Sequence, residues 1–177
     1  MRKKPNGFTL YELLITIVLV ALISGLALPS FEASLARQRQ RAEIDALFHA
    51  IHLARKESIM RRKVVSLCPS LDGSRCSPSR DWSSGWLMFE NSDRDSPPSV
   101  DANELILTSH RVDEAVDISA NRKGFTLRAT FLRATNGTFV FCDPKNRITP
   151  RALVISYTGR PRVAVHTTDG ELYSCAD

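Results

Sequence analysis

The sequence predicts an α+β protein: a long N-terminal α-helical spine, transmembrane in its first half, packed on an antiparallel β-sheet C-terminal domain. Three observations carry this. Phe8–Leu28 is apolar almost throughout and long enough, as a helix, to cross a hydrocarbon core of roughly 30 Å. Ile44, Leu47, Phe48, Ile51 and Ala54 then follow the i, i+3, i+4, i+7 spacing of one helical face. Beyond Lys63 the pattern changes to short β-branched and aromatic segments bounded by Gly, Pro, Asn and Asp. A length of 177 residues suits one modest domain plus a membrane element, and 43% hydrophobic residues supply a core, which excludes global disorder.

At the start of the chain, Arg2, Lys3 and Lys4 precede the apolar run, and the positive-inside rule keeps that end in the cytoplasm. Everything after Pro29 is then expected outside the inner membrane. A secretory signal would have an apolar stretch of roughly 7–15 residues, followed by a small-residue cleavage site. Here the run is longer, holds Glu12, and its small residue, Gly7, comes first. The stretch "KPNGFTLYELL" resembles the class III signal of type IV pilins and type II secretion pseudopilins. That resemblance implies cleavage after Gly7 by a prepilin peptidase and methylation of the new amino terminus at Phe8. It also implies a helix kink near Pro29.

Glu12 is the costly residue of this segment, because carboxylates inside a membrane are usually paired and functional. The resemblance implies a partner, the free amine of Phe8 on a neighbouring subunit, and an assembly role in setting axial register. A carboxylate snorkelling to the membrane edge is the plainer alternative.

The spine is expected to continue through residues 30–63 as an amphipathic helix ending near Arg61–Lys63. Arg37, Arg39, Arg41, Arg55 and Lys56 fall mostly on its other faces. The expected division is therefore a cleaved leader at 1–7, a membrane and assembly helix at 8–29, the amphipathic helix at 30–63 and a β-rich domain at 64–177. Candidate strands are Val64–Cys68, Trp86–Glu90, Leu105–Ser109, Thr126–Phe131, Thr138–Cys142, Ala152–Ser156 and Arg162–Thr167. Asn136-Gly137 in "ATNGTF" predicts a tight hairpin. "SDRDSPPSVDANE" reads as a flexible loop.

Cys68, Cys76, Cys142 and Cys175 suggest two disulfides if the domain lies outside the cytoplasm. Three pairings are possible. Cys68–Cys76, which closes a short local loop, and Cys142–Cys175, which ties down the C-terminus, are favoured. Zinc is the rival, but no cysteine sits in a CxxC pair or at ligand spacing from a histidine.

The second half extends the resemblance. "LCPSLDGSRCSPSRDWSSGWLMFEN" is similar to the β-rich part of GspH/FimT-type minor pilins, in which a cysteine pair precedes a W-x-x-G-W/Y-x-x-F pattern. The matching residues are Trp82, Gly85, Trp86 and Phe89. "GTFVFCD" and "RALVISYTGRPRV" resemble late strands of the same family.

Nothing in the chain forms a convincing catalytic constellation, cofactor motif or metal site, so a non-enzymatic protein without cofactors is expected. His49, His52, His110 and His166 read as surface or packing residues. Asn91, Asp93 and Asp95 alternate as calcium ligands do, but Ser96 stands where an EF-hand glycine would, so a hydrated acidic loop is preferred. The net charge of +5 is uneven: residues 72–117 are acid-rich and Arg122–Arg162 basic.

"TGRPRV" stands out within that basic part. Proline biases Arg160 towards an extended backbone, in which Arg160 and Arg162 project to one side. Two guanidiniums so placed suit successive phosphates of nucleic acid. Gly159, Arg160 and Arg162 resemble the Gly-Arg-x-Arg element of FimT-type pilins linked to DNA uptake, with Lys145, Arg147 and Arg151 as an extension of the patch. FimU-type pilins, which prime pilus assembly, share much of this pattern, and a plain hairpin turn with soluble arginines also accounts for it.

The resemblance as a whole implies a minor pilin, made as an inner-membrane precursor with a periplasmic domain. Its partners are the prepilin peptidase, the major pilin, other minor pilins and, through the arginine element, non-specific double-stranded DNA. A type II secretion pseudopilin is the alternative.

Overall fold

The computed structural model describes residues 7–128 and 134–175; within α1, the side chains at 24 and 26–29 lie outside that description. The element order is α1 (Leu10–Arg61), β1 (Val65–Pro69), β2 (Trp86–Glu90), β3 (Ile106–His110), β4 (Asp117–Ala120), β5 (Phe125–Leu127), β6 (Gly137–Cys142), β7 (Arg151–Ile155) and β8 (Pro161–Ala164). The chain divides into two compact units, Met1–Leu35 and Ala36–Asp177.

In the first unit, Thr9 and Glu12 start α1 with a reciprocal capping box. The Thr9 backbone N–H donates to Glu12 Oε2 at 2.9 Å, and the Glu12 N–H donates to Thr9 Oγ1 at 3.3 Å. Every side chain from Phe8 to Ile23 is exposed, so this apolar stretch finds no cover within its own unit. Among the described residues no helix is long and apolar enough to cross a membrane. The expected span at 8–29 includes residues whose side chains lie outside the description; at Pro29, where a kink is expected, the backbone belongs to the one helix Leu10–Arg61.

In the second unit, Ile44, Leu47, Ile51 and Ala54 are buried, while Phe48 packs at the margin of the core. α1 ends at Arg61, and Arg62 takes a left-handed backbone with φ 54°. Buried Glu90 of β2 fastens that end: it accepts from Arg61 Nη1 at 2.8 Å and Lys63 Nζ at 2.6 Å. Gln40 Nε2 donates to the carbonyls of Phe141 and Thr149, tying α1 to the β6–β7 end.

The strands form two four-stranded antiparallel sheets, β3-β2-β1-β5 and β4-β6-β7-β8. One core serves both. It joins α1 to Val65, Leu67 and Met88 of the first sheet, and to Phe139, Phe141, Leu153 and Ile155 of the second. The Trp-Gly-Trp-Phe pattern has a packing origin. Trp82 is fully buried, edge-on to Phe139 with centroids 4.9 Å apart. Gly85 has φ +142°, and a Cβ there would stand 2.6 Å from the His110 carbonyl. Trp86 stacks on His110, and Phe89 is fully buried.

The structure departs from the sequence expectations in three places. Asn136-Gly137 does not join two paired strands: β5 pairs with β1, whereas β6 pairs with β4 and β7. The turn chemistry is local, but the flanking strands enter different sheets. The C-terminal part of the candidate strand Thr126–Phe131 lies outside the described residues. Second, β4 has no counterpart among the expected strands. Third, the single sheet layer expected is two sheets.

Disulfides join Cys68 to Cys76 and Cys142 to Cys175, and no described cysteine is free. The second bond anchors the C-terminal segment. That segment first turns back on itself, with His166 bridging Leu172 and Tyr173 N–H donating to the Val165 carbonyl. In the acidic loop, Asp95 accepts from Asn91 Nδ2 at 2.9 Å and from the Ser99 N–H at 2.8 Å. Those carboxylate oxygens are spent on loop closure, and no metal-binding group forms among the described residues.

Candidate functional site

The arginine element is the β7–β8 hairpin. The Gly159 N–H donates to the Ser156 carbonyl at 2.9 Å, and the Ser156 N–H donates to the Arg160 carbonyl at 3.1 Å. Tyr157, Thr158 and Gly159 therefore make a three-residue loop in which glycine takes the left-handed position, φ +71°. The Ser156 hydroxyl accepts from the Arg160 N–H at 3.3 Å and pairs with Thr158 Oγ1 at 2.8 Å, stiffening the loop.

Strand register then places the arginines. Ile155 pairs with Pro161, Val154 with Arg162 and Leu153 with Val163. Leu153 and Ile155 are buried in the core. By the two-residue period, Arg162 and Arg160 stand on the opposite, outer face, about 6–7 Å apart along the strand. Both are exposed, and neither forms an ion pair among the described residues.

The expected extension of the patch is not brought to this hairpin. Lys145 and Arg147 lie in the β6–β7 connection, and Arg151 opens β7 opposite Phe141. That is the other end of β7, roughly 13 Å from Ile155. Arg147 is also committed elsewhere. Its Nη2 and Nε donate to the two oxygens of buried Asp143 at 2.6 and 2.9 Å. This fork holds the Asp143 carboxyl down at about 2, so the pair stays ionised at neutral pH.

Two further features have no counterpart in the sequence reading. The outer face of the second sheet carries acid at its β4 edge, where burial, then Asp81 and Asp143, push the Asp117 carboxyl up. A groove of about 750 Å³ lies there, between this edge and Tyr173–Cys175. The other feature is Arg55 of α1. A Cβ on Gly159 would meet Arg55 Nη1 at 2.9 Å, Leu127 Cδ2 at 3.1 Å and Ala134 Cβ at 3.3 Å. The glycine is thus demanded twice, by its backbone and by this close approach. Arg55 carries no sequence signal: it is one of several arginines off the apolar helix face.

Among the processing and assembly residues, Gly7 and Phe8 are exposed ahead of α1, and Glu12 bonds Thr9 within its own chain.

Comparison with known proteins places the chain. The model of the type II transport protein GspH family matches residues 43–159, and the prokaryotic N-terminal methylation motif matches residues 2–28. No curated protein matches the chain. Solved structures share the fold. The Pseudomonas aeruginosa type IV minor pilin FimU has a TM-score of 0.53 at 20% identity, covering 72% of this chain and 90% of that one. GspH of E. coli has a TM-score of 0.51 at 14% identity, covering 73% and 89%. The minor pseudopilin EpsH from the type 2 secretion system of Vibrio cholerae has a TM-score of 0.50 at 9% identity, covering 71% and 96%. With its methylation motif, its helix-then-sheet architecture and a family match over most of its length, the chain belongs to the GspH family as a GspH/FimT-type minor pilin or pseudopilin, a structural subunit rather than an enzyme.

Proposed function

We propose that this chain is a minor subunit of a type IV pilus that primes or supports fibre assembly through its N-terminal helix and contacts DNA through the Gly159–Arg162 hairpin. The observation that carries the DNA contact is the placement of Arg160 and Arg162 on one exposed face, with no ionic partner among the described residues. Such a pair binds phosphate by its forks, without reading sequence, and strongly salt-dependently. Acid at Asp81 and Asp117 repels phosphate from the β4 side and confines contact to the hairpin end.

In this reading a prepilin peptidase cuts after Gly7 and Phe8 is methylated. Residues 8–29 hold the subunit in the inner membrane, the β-rich unit lies in the periplasm, and the helix then joins the major pilin and other minor pilins. Arg160→Gln/Arg162→Gln tests the DNA contact. Duplex affinity and DNA uptake should collapse while piliation persists, and the salt slope should flatten by about 0.9 per lost phosphate contact. Unchanged affinity and unchanged uptake reject it.

Glu12 is tested by two variants. Glu12→Gln keeps a capping box and loses the charge; Glu12→Ala loses both. Incorporation into fibres should fall in both, measured as subunit content of sheared pili with membrane levels unchanged. A defect in the alanine variant alone assigns Glu12 to helix capping only.

A second reading is a pseudopilin of a type II secretion system, favoured by the similarity to EpsH. Deletion that blocks secretion and leaves pili intact supports this second reading.

A further inference from the structure

We propose that Arg55 is a third phosphate-binding arginine, set on the opposite side of the hairpin tip from Arg160 and Arg162, and that it gives the site a preference for double-stranded over single-stranded nucleic acid. This inference rests on the DNA-contact reading above.

Gly159 is the pivot of the geometry. Its missing side chain points to Arg55 Nη1, Leu127 and Ala134, the side on which α1 and β5 lie. Arg160 and Arg162 share the other face, in register with Ser156 and Val154. Cations therefore flank the tip on both sides. Arg55 is half-buried, and among the described residues its guanidinium has no hydrogen-bonding or ionic partner. Arg55 is set beside the segment that carries Arg160 and Arg162, with no counter-ion among the described residues. The interface thus has three unneutralised guanidiniums around one narrow turn.

A single strand presents one line of phosphates, which Arg160 and Arg162 serve from one face. A duplex groove presents two lines, one on each side of whatever enters it. The major groove is about 12 Å wide and admits a two-stranded β-ribbon. This hairpin is not a free ribbon, because Leu153 and Ile155 lie in the core, so its tip is laid across the groove rather than inserted, with Arg160 and Arg162 towards one strand and Arg55 towards the other. No base contact is required, so the preference is for duplex form and not for sequence.

The test uses the full chain in non-ionic detergent, with a duplex and a single strand of equal length as probes. Arg55→Gln is compared with Lys56→Gln, a neighbouring exposed charge, and with Arg160→Gln/Arg162→Gln. Arg55→Gln should weaken duplex binding roughly three- to tenfold and flatten its salt slope by about 0.9. Single-strand binding should change by less than about twofold, Lys56→Gln should match wild type, and Arg55→Lys should restore most of the loss. Equal losses on duplex and single strand, or wild-type duplex binding by Arg55→Gln while the hairpin variant loses it, overturn the assignment of Arg55. Wild-type binding by the hairpin variant overturns the DNA-contact reading instead.

Discussion

Trp82→Ala is expected to lower the stability of the β-rich unit by about 3–5 kcal/mol, the range for deleting a large buried aromatic. Trp82 is fully buried, and its ring meets Phe139 of β6 and Phe125 of β5. Those strands belong to different sheets, so the indole fills the seam between them. Its Nε1–H donates to the Arg122 carbonyl at 3.3 Å, so truncation also removes this part-buried hydrogen bond. Urea unfolding of the full chain in detergent measures the loss. Trp82→Phe, which keeps an aromatic ring, should lose clearly less. A loss below about 1 kcal/mol for the alanine variant would show that the seam repacks and that this residue is not its keystone.

The second large effect concerns the tail. Cys142 and Cys175 are 33 residues apart in sequence, and opening that loop in the unfolded chain is expected to cost roughly 3–4 kcal/mol. The Cys68–Cys76 bond spans only 8 residues, for which the same relation gives roughly 2–3 kcal/mol. Cys142→Ser/Cys175→Ser should therefore lower the melting temperature more than Cys68→Ser/Cys76→Ser. Reductant should bring wild type towards the double variants. Melting curves that coincide with and without reductant would refute a stabilising role for both bonds.

Much of this fold is legible in the sequence because one physical signal dominates each element. The apolar positions from Ile44 to Ala54 have no competing reading, and they form the buried stripe of α1. Strands such as Trp86–Glu90 stand out through an apolar run, here residues 86–89, and this strand is buried throughout. β4 is different: Asp117–Ala120 has one β-branched residue, Ile118, and is held by its pairing with β6 rather than by propensity. The Asn136-Gly137 error has the complementary cause. A turn dipeptide reports local backbone preference and says nothing about which sheet each flanking strand enters. Within the site, Arg160 and Arg162 are visible as a contiguous motif, whereas Arg55 lies more than a hundred positions upstream of it in the chain. Only the close approach at Gly159 relates them. The commitment of Arg147 to Asp143 is equally hidden, because composition counts a charge whether or not it is neutralised.

The free edge of β8 has a consequence for aggregation. The Arg160 carbonyl faces β7, so alternation turns the backbone of Pro161 outwards, and proline has no N–H to offer a foreign strand. Further along, the outward carbonyl of Val165 is already taken by the Tyr173 N–H of the tail. A template for strand-by-strand recruitment is thus interrupted at both ends, as edges of soluble sheets commonly are. For a protein whose task is to polymerise, this separates wanted from unwanted association. At this edge the sheet is guarded against growth, while the exposed apolar helix from Phe8 to Ile23 remains open to it.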